Sequence, residues 1–131
     1  MLTVGDGGLF STLDDLFLWD QALNTERLVP KAALEQAFTS GKTNDGTSVG
    51  YGFGWITNVL PYCNAAEREQ LLALGGAGLR HVAHGGSCVA YYNYIIRLLD
   101  TQRTIIVLTN HLGAPGPRIR AHQVAEILFN N

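Results

Sequence analysis

The stretch HVAHGGSCVAYYNY, residues 81–94, places a histidine and two glycines at the start of a run that alternates like a β-strand. From position 88 onward every second residue is apolar or aromatic, so these side chains would share one face of a strand. They are Cys88, Ala90, Tyr92, Tyr94, Ile96 and Leu98. Residues 100–102 then predict a hairpin turn, and TIIVLTN, residues 104–110, is apolar on both faces, which is typical of a central strand. The stretch therefore predicts the middle of an antiparallel sheet.

The pentapeptide YGFGW, residues 51–55, predicts a further strand in which rings alternate with glycines. Such a strand would carry Tyr51, Phe53 and Trp55 on one face and bare backbone on the other. Glycine within a strand often marks the close approach of another backbone or of a ligand. The residues before it, 41–50, have turn chemistry throughout.

A helix is predicted ahead of these strands. Ser11 and Thr12 can each cap it, because Asp14 and Asp15 follow at capping-box spacing. An apolar stripe at helical spacing would face the core, and it consists of Leu13, Leu16, Phe17 and Leu23. We interpret the acidic residues Asp14, Asp15 and Asp20 as a charged first turn and a solvated helix face.

Three further helices complete the predicted elements. Pro30 suits the first turn of a short helix that Gly41 closes, and Asn64 can cap another over residues 64–74. The last begins near Pro117, with an apolar stripe of Ala121, Val124, Ala125 and Leu128. Helices, then strands, then a closing helix predict a single domain, residues 1–131, of the α+β class: an antiparallel sheet of at least three strands with packed helices.

Composition and charge argue against several classes of function. A net charge of −2 over 131 residues gives no electrostatic footprint for nucleic acid or for an anionic membrane. No apolar run of about 18 residues is present, and the first ten residues lack the basic flank and apolar core of a signal peptide, so a cytoplasmic location is the default expectation. Cys63 and Cys88 lie in dissimilar surroundings and do not indicate a disulfide framework.

Three short motifs match known patterns only by their letters. SGKT, residues 40–43, lacks the leading glycine of a phosphate-binding loop. GTSVG, residues 46–50, has the G-x-S-x-G spacing, but a turn-rich loop precedes it and a strand follows, so its serine is interpreted as a loop residue. His81, His84 and Cys88 could be drawn as zinc ligands, yet positions 81 and 84 of a strand point to opposite faces. We therefore expect no nucleotide, metal or other cofactor.

The order of the remaining features is more informative than any one of them. GGLFSTLDDLFLWDQAL at 7–23 and VPKAALEQAF at 29–38 precede YGFGW, and HGG at 84–86, a strand ending in LTN and a terminal helix follow. This order resembles the C-terminal part of the serine β-lactamase-like and penicillin-binding-protein family, especially class C β-lactamases and related esterases and peptidases. The resemblance implies a partial β-lactamase/transpeptidase-like fold, with the chain equivalent to the C-terminal portion of the domain.

Three motifs build the active site of that family: S-x-x-K on a helix, Y-x-N, and K-T-G or H-x-G on a strand edge. His84-Gly85-Gly86 fits the third motif in its histidine form. The resemblance implies that His84 holds a substrate carboxylate or the catalytic hydroxyl network, that Gly86 lets a backbone approach, and that the N–H of Ser87 helps to form an oxyanion hole. Tyr51 and Gly85 are the expected binding residues beside it. The alternative is a partly exposed histidine at the start of a strand.

The other two motifs are not matched in position. No S-x-x-K occurs, since Ser40 is two residues from Lys42 rather than three. Tyr91-Tyr92-Asn93 satisfies Y-x-N by letters but follows HGG, and its place inside a strand indicates sheet packing. Without an activated nucleophile an oxyanion hole polarises a carbonyl but forms no acyl-enzyme. The chain alone is therefore predicted to be catalytically incompetent, as a truncated member of the family.

Two alternatives stay open beside the truncated domain. The chain could be half of a two-chain serine hydrolase, completed by a partner that bears S-x-x-K and Y-x-N, or an oligomeric module that binds a small carboxylate, amide or ester. In each case Phe17, Trp19 and the apolar residues 105–108 would need cover. We expect a homodimer or higher oligomer, or a complementing N-terminal chain, to supply that cover.

Overall fold

The computed structural model describes residues 7–59, 63–67, 69, 80–111 and 113–129. Its named elements follow one another as α1 (Leu13–Ala22), α2 (Lys31–Ala37), β1 (His81–Cys88), β2 (Tyr91–Leu98), β3 (Arg103–Thr109) and α3 (Pro117–Phe129). The three strands form one antiparallel sheet in the order β1-β2-β3. The predicted α+β class is confirmed.

One face of the sheet packs against α3. In the strand register Ala83 lies opposite Ile96 and Gly85 opposite Tyr94, so these residues share a face. Together with residues from β3 and α3 they form a core cluster of Ala83, Tyr94, Ile96, Leu98, Ile105, Ala121 and Ala125. The predicted stripe on α3 is therefore half right: its alanines are buried, whereas Val124 and Leu128 are exposed.

The opposite face of the sheet carries the N-terminal helices. Val82 of β1 is buried against Leu23 and Trp55, and Leu34 and Phe38 pack around them. Trp55 also contacts the edge of the Phe38 ring at 5.6 Å and stacks on Trp19 at 6.1 Å between ring centroids. The sheet is thus sandwiched between α3 on one side and α1 with α2 on the other. None of the described helices is long and apolar enough to cross a bilayer.

A buried ion pair joins α1 to the sheet. Asp20 is 0% exposed and Arg97 of β2 is 3% exposed. Arg97 Nε donates to Asp20 Oδ1 at 2.5 Å, Arg97 Nη2 donates to the Asn24 side chain at 2.8 Å, and the Thr104 hydroxyl donates to Asp20 Oδ1 at 2.8 Å. The prediction that Asp20 lies on a solvated helix face is wrong, because donors on β2 and β3 face that position and satisfy its charge.

The apolar stripe expected on α1 is mostly exposed instead. Leu13 and Phe17 are 53% and 54% exposed, and only Leu23, just past the helix, is buried. The helix docks on the sheet through Asp20 in its C-terminal half, whereas Leu13 and Phe17 precede this point of contact and remain exposed. Its predicted start is confirmed, since the Thr12 hydroxyl accepts a hydrogen bond from Asp15 N at 3.1 Å.

The run 88–98 is not one continuous strand. It breaks at residues 89 and 90, where β1 turns into β2. Val89 adopts φ 55°, a left-handed conformation that β-branched residues rarely take. No glycine or asparagine marks this turn, so its position could not be read from turn chemistry. The second hairpin turn, between β2 and β3, lies where residues 100–102 predicted it.

Two further strand predictions are corrected. Within the described sheet β3 pairs with β2 alone and is an edge strand, not the central one. Residues 51–55 form a tight turn rather than a strand. Gly52 N donates to Trp55 O at 2.8 Å, and the backbones of Tyr51 and Ile56 on either side form an isolated antiparallel β-bridge. The three rings do not share a face: Phe53 is 74% exposed, whereas Trp55 is 8% exposed.

The close approach expected at these glycines is confirmed at Gly52 but not at Gly54, where a Cβ would meet no atom within 4 Å. A Cβ on Gly52 would lie 2.0 Å from the carbonyl oxygen of Ala37, the last residue of α2. Farther along, Asn64 begins a helical turn with a reciprocal capping box, in which Glu67 N donates to Asn64 Oδ1 at 2.9 Å and Asn64 N to Glu67 Oε2 at 3.2 Å. Much of the helix predicted over 64–74 falls outside the described residues.

A polar cluster lies between α3 and the sheet. The half-buried ring of His122 contacts His81 of β1 and Tyr94 of β2, with ring centroids 5.7 and 6.2 Å apart. Among the described residues, His122 Nε2 is buried with no hydrogen-bond partner. Burial, with smaller contributions from His81 and Arg118, lowers the pKa of His122 to about 4. Burial also raises the pKa of the Tyr94 phenol.

We predict that Asp20→Ala lowers the free energy of unfolding by about 3–5 kcal/mol, because it leaves the Arg97 charge buried without its carboxylate. Urea denaturation would measure it, with Asp14→Ala, on the exposed first turn, as the matched control within about 0.5 kcal/mol of wild type. The double variant Asp20→Leu/Arg97→Met should be less destabilised than Asp20→Ala. Equal stability of the Asp20→Ala and Asp14→Ala proteins would contradict the structural role given to the pair.

We predict that stability falls as the pH is lowered from about 6.5 to about 4. Between these pH values His122 is protonated in the unfolded chain but not in the folded chain. Unfolding therefore takes up a proton, and lowering the pH favours the unfolded state. The effect of this one group is on the order of 1–2 kcal/mol, discounted for the partly exposed ring. His122→Gln should flatten the dependence and the exposed His111→Gln should not; a wild-type slope in His122→Gln would refute the assignment.

Candidate functional site

His84 lies within β1 rather than at its start. The strand begins at His81, and His84 is paired with Ile95 of β2. It shares the sheet face of Val82, since alternate residues of a strand point the same way. Its side chain is exposed, as both interpretations of this histidine required.

Tyr51 reaches His84 from the neighbouring turn. The Tyr51 hydroxyl lies 2.8 Å from His84 Nε2, and the two rings meet edge to face with centroids 6.0 Å apart. The turn is fixed to β1 because Ile56 N donates to Ala83 O at 2.7 Å and Ala83 N donates to Ile56 O at 2.9 Å. The structure therefore brings together two of the predicted site residues, which are 33 positions apart in the chain.

Beyond Ala83, alternate residues of β1 direct their backbone N–H and C=O groups to the outer edge of the sheet. In an antiparallel strand the N–H and C=O groups of alternate residues point to opposite sides. Since those of Ala83 point toward Ile56, those of Gly85 and Ser87 point to the same outer edge of β1. Ser87 is exposed and its N–H faces this outer edge, whereas its role in an oxyanion hole stays a prediction.

The two glycines of the motif differ in their surroundings. A Cβ on Gly85 would lie 3.0 Å from Tyr94 Cδ2, so this glycine allows the strand to approach a core ring. A Cβ on Gly86 would meet no atom within 4 Å, so it borders open space. Gly86 therefore borders open space on the face that it shares with His84, whereas Gly85 does not.

The other motifs found by letters serve the fold. The hydroxyl of Ser48 lies 2.7 Å from that of Ser40. Both belong to a loop in which the backbones of Lys42 and Ser48 form an isolated β-bridge. Asn93 of β2 accepts a hydrogen bond from Thr109 N at 3.4 Å, across the β2–β3 pair. These contacts agree with a loop serine and with sheet packing for the Tyr91–Asn93 segment.

The sequence contains a second Y-x-N match. It is Tyr62-Cys63-Asn64, whose tyrosine lies outside the described residues and whose asparagine caps a helical turn. Cys63 and Cys88 are both free thiols, as the sequence indicated. Over the described part of the chain, no three His, Cys, Asp or Glu side chains are grouped to hold a metal ion.

The edge of β1 thus offers hydrogen-bond donors beside open space. The Tyr51–His84 pair supplies side-chain polar atoms and Ser87 supplies a backbone N–H, all along one strand edge. Donors fixed in this way can orient a carboxylate or polarise a carbonyl oxygen. Within the described residues no hydroxyl or thiol is hydrogen-bonded to a lysine or histidine base at this edge, apart from the Tyr51 phenol itself.

Comparison with known proteins places this geometry in context. The β-lactamase family model matches residues 2–129. Penicillin-binding protein 4* of Bacillus subtilis (strain 168) is 34% identical over 106 residues, which cover 81% of this chain and 20% of that protein. A D-aminopeptidase of Gluconobacter oxydans (strain 621H) is 23% identical over 110 residues, which cover 84% of this chain and 18% of that protein. The chain spans about a fifth of the length of these curated relatives.

Proposed function

The chain belongs to the β-lactamase family, and on that premise we propose that its β1 edge forms the third-motif wall of a serine hydrolase site of the penicillin-binding type. The observation that carries the proposal is the 2.8 Å contact between the Tyr51 hydroxyl and His84 Nε2, beside an outward-facing Ser87 N–H. The nearby relatives are named as a penicillin-binding protein and a peptidase, and both names fit a site that acts on an amide.

Each residue of the edge has a distinct role in this proposal. His84, positioned by Tyr51, donates to the carboxylate of the substrate. Ser87 N–H donates to the carbonyl oxygen as it gains negative charge, which is where a fixed donor contributes most. Gly86 leaves the space through which the scissile amide or ester lies along β1. Gly85 keeps the strand in register by fitting against Tyr94.

The attacking serine and its base come from elsewhere in this proposal. The 131 residues contain no S-x-x-K, and acyl transfer needs a nucleophile activated by an adjacent base. We propose that another part of the β-lactamase domain, on the same or a partner polypeptide, places S-x-x-K and Y-x-N opposite the β1 edge. The chain by itself then binds and polarises a substrate without forming a covalent bond to it.

The exposed apolar residues of α1 and of the segment just before it support such completion. Leu9, Phe10, Leu13, Phe17 and Leu18 are each more than half exposed. Burying a large apolar side chain contributes about 1.5–3 kcal/mol, and patches of this kind usually mark interfaces. We propose that the rest of the domain covers this face, which we call the α1 face, and that the isolated chain covers it with a second copy.

A chimaera tests the proposed site. Residues 2–129 would replace the matching segment of penicillin-binding protein 4*, and covalent attachment of a labelled penicillin would be followed over time. We expect the chimaera to be acylated, and His84→Ala to slow acylation by about 10- to 100-fold, because a hydrogen bond to a charged group is lost. His111→Ala is the matched control and should leave the rate unchanged.

Two results, one with the chimaera and one with the isolated chain, would contradict the proposal. One is a folded His84→Ala chimaera that penicillin acylates as fast as it acylates the parent chimaera. The other is a stoichiometric mass shift of the isolated chain with penicillin that disappears in Ser87→Ala, since that would place a nucleophile within these residues.

Sedimentation tests the α1 face. At micromolar concentration the isolated chain should sediment as a species heavier than the 14.2 kDa monomer. Leu13→Gln/Phe17→Gln removes two apolar side chains one helical turn apart on α1 and should shift the distribution toward monomer. The matched control Val124→Gln/Leu128→Gln makes the same change on exposed positions of α3 and should not. A wild-type monomer that melts sharply would contradict the proposed interface.

A further inference from the structure

A cavity lies on the α1–α2 side of the sheet, and we infer that it binds a small zwitterion with an apolar side chain, of the α-amino acid class. Its volume is about 310 Å³, at the small end of ligand sites and large enough for one amino acid. Arg80 and Leu99 line it where β1 begins and β2 ends. The residues that line this cavity do not include Tyr51, His84 or Ser87, so it is separate from the β1 edge.

Arg97 supplies a fixed cation to the cavity. Its guanidinium is buried, with Nε held by the Asp20 carboxylate and Nη2 held by the Asp20 carbonyl and the Asn24 side chain. The third nitrogen, Nη1, makes no hydrogen bond to the described residues, and the guanidinium carbon lies 5.6 Å from the Phe38 ring centre. A guanidinium held in one orientation loses little freedom when it donates to a carboxylate.

The rim of the cavity carries charges of both signs. Lys31 and Glu35 lie one turn apart on α2 and both line it, without an ion pair within 4.0 Å between them among the described residues. Glu26 also lines the rim and accepts a hydrogen bond from Lys31 N at 3.1 Å. Arg80 is loosely paired with Asp100 at 3.9 Å.

These charges select the class of ligand. Asp20 offsets the charge of Arg97, so a simple anion would gain little from it alone and would meet two glutamates at the rim. A zwitterion satisfies both signs: its carboxylate accepts from Arg97 and Lys31, and its ammonium donates to Glu35. The walls between them are apolar, formed by Leu34, Phe38 and Leu99, and they suit a branched aliphatic side chain.

Titration with leucine tests the inference on the intact chain, followed by NMR of the backbone amides that line the cavity. We expect saturable shifts there, and weaker binding by 4-methylpentanoate, which lacks the ammonium, and by isoamylamine, which lacks the carboxylate. Lys31→Gln and Glu35→Gln lie on an exposed helix surface and should each weaken leucine binding about fivefold, the effect expected of one surface charge.

Two variants separate this cavity from other sites. Lys42→Gln changes the chain's other lysine, outside the cavity, and should leave leucine binding unchanged, as should His84→Ala at the β1 edge. Leu99→Trp fills the cavity and should abolish the shifts while the chain stays folded by circular dichroism. No saturable shift with leucine, or equal binding of leucine and 4-methylpentanoate that Glu35→Gln does not alter, would overturn the inference.

Discussion

The ion pair between Asp20 and Arg97 is the constraint on which the arrangement of this protein depends. Its partners are 77 residues apart and nearly inaccessible to water. Removing two charges from water is unfavourable unless their remaining polar atoms are satisfied. Here Thr104 and Gln21 donate to the carboxylate, and Asn24 accepts from the guanidinium. One charged pair thus ties α1 to both β2 and β3.

The geometry of the β1 edge depends on the strand register that places Arg97 opposite α1. With Arg97 directed toward α1, its alternate neighbour Ile95 faces the same side, and so does His84, which is paired with Ile95. Ala83 then faces α3 and directs its backbone groups to Ile56. A slip of one residue would turn His84 into the α3 core and bring a buried alanine to the surface. The contact of Tyr51 with His84 therefore depends on packing on both sides of the sheet.

Much of the fold was predictable because its signals are local. Alternation over 91–98, the cap at Thr12 and the helix after Pro117 each depend on residues near in sequence. The candidate site was predicted from a different signal: the order of HGG, YGFGW and the flanking helices resembles one family. Both Tyr51 and His84 came from that resemblance, and their roles stay predictions. The structure adds the 2.8 Å contact that joins them.

The failures share a physical cause, which is that the deciding partner is distant in sequence. Asp20 resembles any solvated helix aspartate until Arg97 and Thr104 are placed opposite it. YGFGW alternates like a strand, but Gly54 at φ 76° and the approach of the Ala37 carbonyl make it a turn. TIIVLTN is apolar enough for a central strand, yet apolarity does not reveal how many neighbours a strand has.

In the proposed function, the β1 edge acts through donors that the fold holds in place. Its donors are fixed by the sheet and by a turn hydrogen-bonded to it, so they need no rearrangement when charge develops on a substrate oxygen, and such fixed donors favour a transition state over a ground state. A strand edge cannot, however, supply an electron pair to a carbonyl carbon. In the proposed function, a nucleophile from outside these residues enters the open space beside Gly86 and completes the chemistry. The exposed apolar residues of α1 lie on the same side of the sheet as His84, and in the proposed function one polypeptide covers both.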